Sequence, residues 1–107
     1  MSIHRYDLQL TENLSISKIK IDQEIQVLSK SNDAVISEFA EAMRKGADFP
    51  PITVFYDGSE YWLADGFSRI KAKEANGDSY ILAEVEFGSR HEAKLYAVVT
   101  NTNQKSN

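Results

Sequence analysis

The stretch that decides the fold is YWLADGFSRIKAKEANG, residues 61–77. An apolar extended run stops abruptly at Asp65-Gly66, and the residues that follow have the apolar spacing of a helix. This pattern predicts a strand that leads directly into the N-terminus of a helix, with Gly66 supplying the unusual φ that so tight a joint requires. The first amides of such a helix have no intrahelical acceptor, and they stand at the positive end of the helix dipole.

The same joint predicts a cradle for a phosphate or carboxylate group. Besides the amides of Phe67, Ser68 and Arg69, the sequence places a hydroxyl on Ser68 and a guanidinium on Arg69 at this helix end. A purely structural interpretation is also open, in which Asp65 caps the helix and Arg69 pairs with a neighbouring acid. The spacing alone slightly favours the structural interpretation, because joints between a strand and a helix are common.

Length and composition limit the classes of protein to consider. At 107 residues with 42% apolar content, the chain has the size of one globular domain with a modest core. The net charge of −4 argues against a broad nucleic-acid surface, although the near balance of charges in residues 66–107 leaves room for a local basic patch. Cysteine is absent, which excludes thiol nucleophiles, disulfides and cysteine zinc sites. The N-terminus lacks a secretory signal pattern, and no apolar run approaches the ~20 residues that span a bilayer. We therefore expect a soluble, cytoplasmic protein with no membrane partner.

The chain before the joint predicts the first half of a small α+β domain. Residues 17–21 alternate as a strand does, whereas residues 22–32 are polar and poorly periodic, which predicts a loop. Asp33 stands where a helix N-cap is expected, ahead of an amphipathic helix that a glycine closes. Two alternating apolar runs flank Asp57-Gly58 and predict a β-hairpin whose second strand enters the joint.

Two further elements follow the joint. Residues 80–87 alternate cleanly and predict a strand. The buried face of this strand is predicted to be Ile81, Ala83, Val85 and Phe87. Ser89 and Glu92 have the spacing of a capping box at the start of a last helix. The apolar residues of that helix are Ala93, Leu95, Tyr96, Val98 and Val99. The polar residues from about 101 onward predict a frayed tail.

Taken in order, these elements resemble the ParB/sulfiredoxin fold, and specifically the N-terminal domain of ParB-type partition proteins and their small ParB-like nuclease relatives. Such relatives have an amphipathic helix ending in Gly, a Phe-Pro-Pro-Ile strand start, a Tyr-Trp-Leu-Ala-Asp-Gly-Phe-His-Arg turn and a closing Gly-Ser/Thr-Arg helix. The counterparts here are residues 35–46, 49–52, 61–69 and 88–90. The resemblance implies an α+β fold with a small mixed sheet packed by about three helices, and one domain over residues 1–107.

The resemblance also implies a ligand. In the wider family a Gly-x-x-Arg turn holds nucleotide phosphates, CTP in the partition proteins and ATP in sulfiredoxins. It favours the phosphate interpretation for the two matching positions, Gly66 and Arg69. The implied binding residues are Asp65, Gly66, Phe67, Ser68, Arg69 and Gln26, and the implied cofactor is CTP or ATP with Mg²⁺.

Four differences from the family pattern limit which functions of the family can be expected here. Sulfiredoxins have Cys-His where this chain has Phe67-Ser68, so reduction of a sulfinic acid is excluded because the thiol is missing. Ser68 also replaces the histidine of the ParB-like relatives, and a serine cannot shuttle protons near neutral pH. The family's Gln-x-Arg becomes Gln26-Val27-Leu28, which removes a cation. The helix-turn-helix of partition proteins would lie beyond residue 107, so we do not expect sequence-specific partition by this chain alone.

Two pairs of cations form a candidate basic patch. Arg69 and Lys73 are four residues apart on one predicted helix, and Arg90 and Lys94 are four apart on the last. If the two helix faces adjoin, they offer a surface to a phosphate backbone, although solvated helix faces are an equally good interpretation.

Several other residues have a structural and a functional interpretation. No metal-ligand spacing is present, and His91 is interpreted as a surface residue. The carboxylates of Asp65, Glu84 and Glu86 suit a hydrated Mg²⁺, although such acids are more often a helix cap and the wet face of a strand. Tyr61 and Trp62 are interpreted as the rim and core of the hairpin rather than as platforms for bases.

Three functions are compatible with these observations. The first is a stand-alone ParB-like domain that binds a nucleotide or another phosphate at residues 66–69 in a DNA-related, plasmid or phage-like setting. The second is a protein-interaction domain built on a degenerate nucleotide-binding fold. The third is a weak metal-dependent nuclease or phosphotransferase, which the lost histidine and arginine disfavour.

Overall fold

The computed structural model describes residues 10–29 and 31–105. The described residues form an α+β domain of five strands and four helices. In chain order these are β1 (Leu10–Ser15), a 3-10 turn (Ile16–Lys18), β2 (Ile19–Lys20), α1 (Gln23–Leu28), α2 (Asp33–Arg44), β3 (Ile52–Tyr56), β4 (Tyr61–Asp65), α3 (Phe67–Ala75), β5 (Tyr80–Phe87) and α4 (Arg90–Lys105). The α+β class is as predicted, and the described residues contain one helix more than expected.

The five strands form one mixed sheet in the order β1-β5-β3-β4-β2. β1 pairs antiparallel with β5 and β3 antiparallel with β4, whereas β3 and β5, and also β2 and β4, run parallel. β1 and β2 lie at opposite edges although only three residues separate them in the chain. That connection reaches at most about 14 Å, whereas four strand spacings in a flat sheet amount to about 19 Å. The sheet must therefore curl until its two edges approach each other.

Alternation along the strands divides the core into two clusters. Val54 of β3 and Leu63 of β4 point into the concave cluster, where Ile70 of α3 joins them. The next residues along the strands, Phe55 and Ala64, belong to the convex cluster. That second cluster also contains Ile25 of α1 and the buried Ala93 and Ala97 of α4. Helix α3 therefore packs against one face of the sheet, α1 and α4 pack against the other, and α2 packs on α3.

The segment before α2 differs from the predicted arrangement. The predicted strand over 17–21 is shortened to β2, because a 3-10 turn occupies its first half. The predicted loop over 22–32 contains helix α1, whose first turn is capped by the Asp22 carboxylate accepting from the Glu24 amide at 2.8 Å. The cap of α2 is Asn32, which accepts from the Val35 amide at 2.9 Å, so Asp33 is the first helical residue and not the cap.

The buried residues of β5 and α4 also differ from those predicted. Phe87 was predicted to be buried, but it is 74% exposed, because it is the last residue of β5; the centre of its ring lies 6.3 Å from that of Tyr56. In α4 the buried residues are the alanines, whereas the larger apolar side chains are exposed. Those exposed side chains are Leu95, Tyr96, Val98 and Val99.

Two predicted features of the chain are confirmed and one is wrong. The hairpin between β3 and β4 turns at Asp57 and Gly58, as predicted. The capping box is present, since the Ser89 amide donates to Glu92 Oε1 at 2.8 Å and the Glu92 amide donates to Ser89 Oγ at 3.1 Å. The polar tail predicted to fray is helical as far as Lys105.

Candidate functional site

The joint between β4 and α3 is built on Gly66, as the sequence predicts. Its φ of +113° lies in the left-handed region, and the first intrahelical bond runs from the Ile70 amide to the Gly66 carbonyl at 3.0 Å. A Cβ on Gly66 would lie 2.4 Å from Cγ2 of Ile52, which is 1% exposed and cannot move aside. The joint therefore needs glycine for two reasons, its dihedral angle and the contact with β3.

A cavity of about 290 Å³ opens at this helix end. Residues 65–69 form one wall, and the opposite walls come from Ile25 and Ser29 near α1, Phe39 of α2 and Ala97 of α4. Within residues 10–29 and 31–105, no protein group accepts a hydrogen bond from the three α3 amides that precede Ile70. The cavity therefore has unused donors at the positive end of the α3 dipole.

Arg69 lines the cavity but is already bonded within the protein. Its Nη1 donates to the carbonyl oxygens of Pro50 at 2.8 Å and Pro51 at 2.9 Å, and its Nη2 donates to Asp65 Oδ2 at 3.3 Å. The side chain is 15% exposed. The pairing of Arg69 with a neighbouring acid, one of the two interpretations open from the sequence, is thus present. The other half of that interpretation is wrong, because Asp65 makes no capping bond to α3.

Ser68 and Phe67 tie the joint to other parts of the domain. The Ser68 hydroxyl lies 2.6 Å from the hydroxyl of Ser31, and Ser31 directly precedes Asn32, the residue that caps α2. Phe67 is half-buried against the concave cluster, with Lys71 Nζ 5.6 Å from the centre of its ring. The N-termini of α2 and α3 therefore meet beside the cavity.

The α1 region does not contribute the predicted Gln26 to the cavity wall. Gln26 is an exposed residue of α1 and is not among the residues that line the cavity. Leu28, which stands where the family pattern has an arginine, packs half-buried against the convex cluster. No sequence pattern pointed to Ser29, Phe39 or Ala97 as wall residues, because each comes from an element whose position depends on tertiary packing.

The four cations of the candidate basic patch lie on helices that pack against opposite faces of the sheet. Lys73 Nζ lies 3.7 Å from Asp78, and Arg69 is bonded to Asp65. On the other face, Arg90 Nε lies 2.5 Å from Asp22 Oδ2, and Lys94 Nζ lies 3.0 Å from Glu24 Oε1. The two helix faces therefore do not adjoin, and one surface containing all four cations would have to extend over both faces of the sheet. Contact with DNA through these cations is not tested by the structure and stays a prediction.

The remaining candidates lie apart from the cavity. Asp65 lines the cavity, whereas Glu84 and Glu86 lie on β5, and no three His, Cys, Asp or Glu side chains within the described residues are grouped to hold a metal. Trp62 is half-buried in the hairpin, where its Nε1 donates to Asp57 Oδ2 at 3.0 Å. No helix in the described part of the chain is long and apolar enough to cross a membrane.

The buried carboxylate of Asp22 should make the docking of α1 sensitive to acid. Burial alone would raise its pKa, but the hydrogen bonds from Arg90 and from the Glu24 amide, helped by the charge of Lys94, hold the pKa of Asp22 below its ordinary value. A lowered folded-state pKa stabilises the fold above the unfolded pKa of about 3.9 and loses that effect as the pH falls further. We expect the difference in unfolding free energy between the natural chain and Asp22→Asn to be constant from pH 8 to 5 and to shrink below about pH 4. Urea unfolding at these pH values measures the difference in unfolding free energy. A difference that grows in acid would contradict a lowered pKa of Asp22.

Comparison of the sequence with family models and with curated proteins finds no match. Solved structures do match. Sulfiredoxin from Arabidopsis thaliana superposes with a TM-score of 0.69 at 17% identity, over 81% of this chain and 96% of that one. The C-terminally truncated chromosome-partitioning protein ParB from Caulobacter crescentus, complexed with CTP-γ-S, gives 0.72 at 14% identity, over 88% of this chain. A pNOB8-like ParB-N domain gives 0.66 at 22% identity, over 82% of this chain.

These similarities establish the fold. The chain has the ParB/sulfiredoxin-like fold, as the resemblance in sequence implied. It spans nearly all of the Arabidopsis sulfiredoxin, but only 53% of the Caulobacter ParB chain and 34% of the pNOB8-like chain.

Proposed function

We propose that the cavity at the start of α3 binds a phosphate-bearing ligand, with a nucleotide such as CTP or ATP as the first candidate, and that the domain serves a DNA-related role. The observation that carries this proposal is the set of three unused amides, one hydroxyl and one guanidinium along a single wall of the cavity. These are the groups that helix N-termini offer to phosphates in other proteins. The ParB of the same fold that is complexed with CTP-γ-S supports the choice of a nucleotide.

The charge of the cavity limits which phosphate it favours. Among the lining residues that the structure describes, Arg69 is the only cation, and it is shared with Asp65. The position of a second family cation is occupied by Leu28, which packs into the protein. A triphosphate would therefore rely on the amides and on Mg²⁺, for which Asp65 is the one carboxylate among the described wall residues. We expect a smaller difference between mono-, di- and triphosphates than a site with two arginines would show.

Calorimetric titration with CTP, ATP, ADP and CMP, with and without Mg²⁺, tests the proposal. We expect saturable binding by at least one nucleotide. Ser68→Ala should weaken that binding by about three- to tenfold, the loss expected for one hydrogen bond to a charged group. Ser59→Ala, in the hairpin turn, is the matched control and should have no effect. If none of these nucleotides produces heat under either condition, the nucleotide proposal is wrong.

The protein-interaction alternative is favoured by one observation. The outward side of α4 exposes Leu95, Val98 and Val99, and Phe87 is exposed at the end of the preceding strand. Exposed apolar side chains in neighbouring elements are typical of contact surfaces. Recovery of a stable partner in the absence of nucleotide, and its loss in a Val98→Asp variant, would support this alternative over the first.

A further inference from the structure

We infer that Arg90 and Asp22 form a positioning pair that holds α1 against α4 and thereby fixes one wall of the cavity. In this role Arg90 does not contact a ligand or DNA. Its effect on a ligand rests on the proposed function, whereas its effect on α1 does not.

Helix α1 depends on tertiary contacts for its existence. It has six residues, and Ile25 is the one that it buries. Isolated helices of this length are not stable in water. Two ion pairs join it to α4, one from Arg90 to Asp22 at the N-cap and one from Lys94 to Glu24 in the first turn. We therefore assign the docking of α1 to these pairs together with the burial of Ile25.

The two partners of the first pair are buried to very different extents. The side chain of Asp22 is 3% exposed, whereas that of Arg90 is 56% exposed. A carboxylate so deeply buried needs a fixed partner, because removing the partner leaves an uncompensated charge inside the protein. An Arg90 that turned outward to a phosphate would leave Asp22 in that state, so the pair favours an internal role for the arginine.

The guanidinium of Arg90 is also held from its other side. Its central carbon lies 4.7 Å from the centre of the Trp62 ring, and the indole Nε1 of that ring donates to Asp57. Trp62 packs against the convex cluster that contains Ile25. The arginine therefore connects the hairpin of the sheet to the N-cap of α1, two elements 40 residues apart in the chain.

The consequence for the cavity follows from the wall residues. Ile25 belongs to α1, Ser29 follows directly at its C-cap, and Ala97 lies on the helix to which α1 is docked. If α1 leaves α4, both Ile25 and Ser29 leave the wall. A ligand would then bind only to the fraction of molecules in which α1 is docked, and its apparent affinity would fall by that fraction.

The test uses Arg90→Ala, Asp22→Asn and the double variant in the full chain without ligand. Asn keeps the acceptor for the Glu24 amide, so Asp22→Asn removes charge and not the cap. Amide hydrogen exchange of Gln26 and Ser29, which bond within α1, should accelerate by about tenfold in either single variant and by no more in the double one. The exchange rates of the β3 amides should not change.

Tryptophan fluorescence is a second measurement. Trp62 is the only tryptophan, so its emission reports the loss of the stacked guanidinium directly.

Two further variants separate positioning from simple loss of charge. Arg90→Lys keeps the cation and should recover part of the α1 protection, whereas Lys18→Ala, which removes an exposed cation elsewhere, should match the natural chain. Additive effects of Asp22→Asn and Arg90→Ala on exchange, or unchanged exchange in both, would overturn the inference.

The direction of the change in nucleotide affinity also distinguishes a positioning role of Arg90 from direct contact with the ligand. If Arg90 positions the wall, Asp22→Asn and Arg90→Ala should both weaken nucleotide binding, by at least about threefold. If Arg90 instead contacts the ligand, Asp22→Asn releases the arginine and should strengthen binding, which would overturn the inference. If no nucleotide binds at all, the proposed function fails, and hydrogen exchange still decides the role of the pair.

Discussion

Gly66→Ala should lower the free energy of unfolding by about 2–4 kcal/mol. The added Cβ would lie 2.4 Å from Ile52 Cγ2, and the backbone at φ +113° is one that alanine rarely adopts. Ile52 is 1% exposed and packs in the concave cluster, so relief requires the joint or β3 to move. A change of this size corresponds to a melting temperature lower by roughly 10–20 °C for a domain of this length. Chemical and thermal unfolding measure it.

Gly46→Ala is the matched control for this prediction. Gly46 also has a positive φ, +93°, but a Cβ there would meet nothing within 4 Å. It should therefore cost only the backbone term, about 1 kcal/mol. Equal effects of the two substitutions would show that the contact with Ile52 is not what makes glycine necessary at the joint.

Arg69→Ala should have the second large effect, on both stability and binding. It removes the two bonds to the prolyl carbonyls and the pair with Asp65 from a side chain that is only 15% exposed. We expect a loss of about 2–4 kcal/mol in unfolding free energy, since hydrogen bonds from charged groups are the stronger ones. Nucleotide binding should fall by at least about tenfold, because the one cation among the described wall residues is gone.

Two companion variants separate the internal role of Arg69 from its role toward a ligand. Arg69→Lys keeps a charge but cannot reproduce the fork that reaches three oxygens, so stability should fall while some binding remains. Asp65→Asn removes the competing carboxylate, so it should strengthen nucleotide binding measured without Mg²⁺ while it slightly lowers stability. Unchanged affinity in both Arg69→Ala and Asp65→Asn would place the ligand elsewhere, and the proposed site would be wrong.

The parts of the fold that the sequence predicts are those with local signals. The turn at Asp57-Gly58, the box of Ser89 and Glu92, and the glycine of the joint each depend on residues a few positions apart. Helix α2 has the same property, since its apolar side chains recur over three turns. The resemblance to the ParB/sulfiredoxin fold rested on these same segments, and the solved structures confirm it.

The parts that the sequence did not predict depend on contacts between distant residues. Helix α1 is too short to show a period, and the partner of its cap, Arg90, is 68 residues away. The alternation of β5 assigns Phe87 to the inner face, but it does not reveal that this last residue of the strand is left 74% exposed. At Arg69 the sequence supplied two interpretations of one guanidinium, and the structure shows a side chain that lines the cavity while it is bonded inside the protein.

The pairing of β1 with β5 has a consequence for how the domain is made. Leu10 lies opposite Val85, so β1 has its only neighbour in the described sheet in a strand that begins at residue 80. During synthesis on the ribosome, the apolar side chains of the earlier strands stay exposed until residues 80–87 have emerged. β5 is needed because it also pairs with β3. Pairings of such long range slow folding relative to local ones. The complete sheet therefore cannot assemble before β5 has been synthesised, because β5 is the strand that joins β1 to β3.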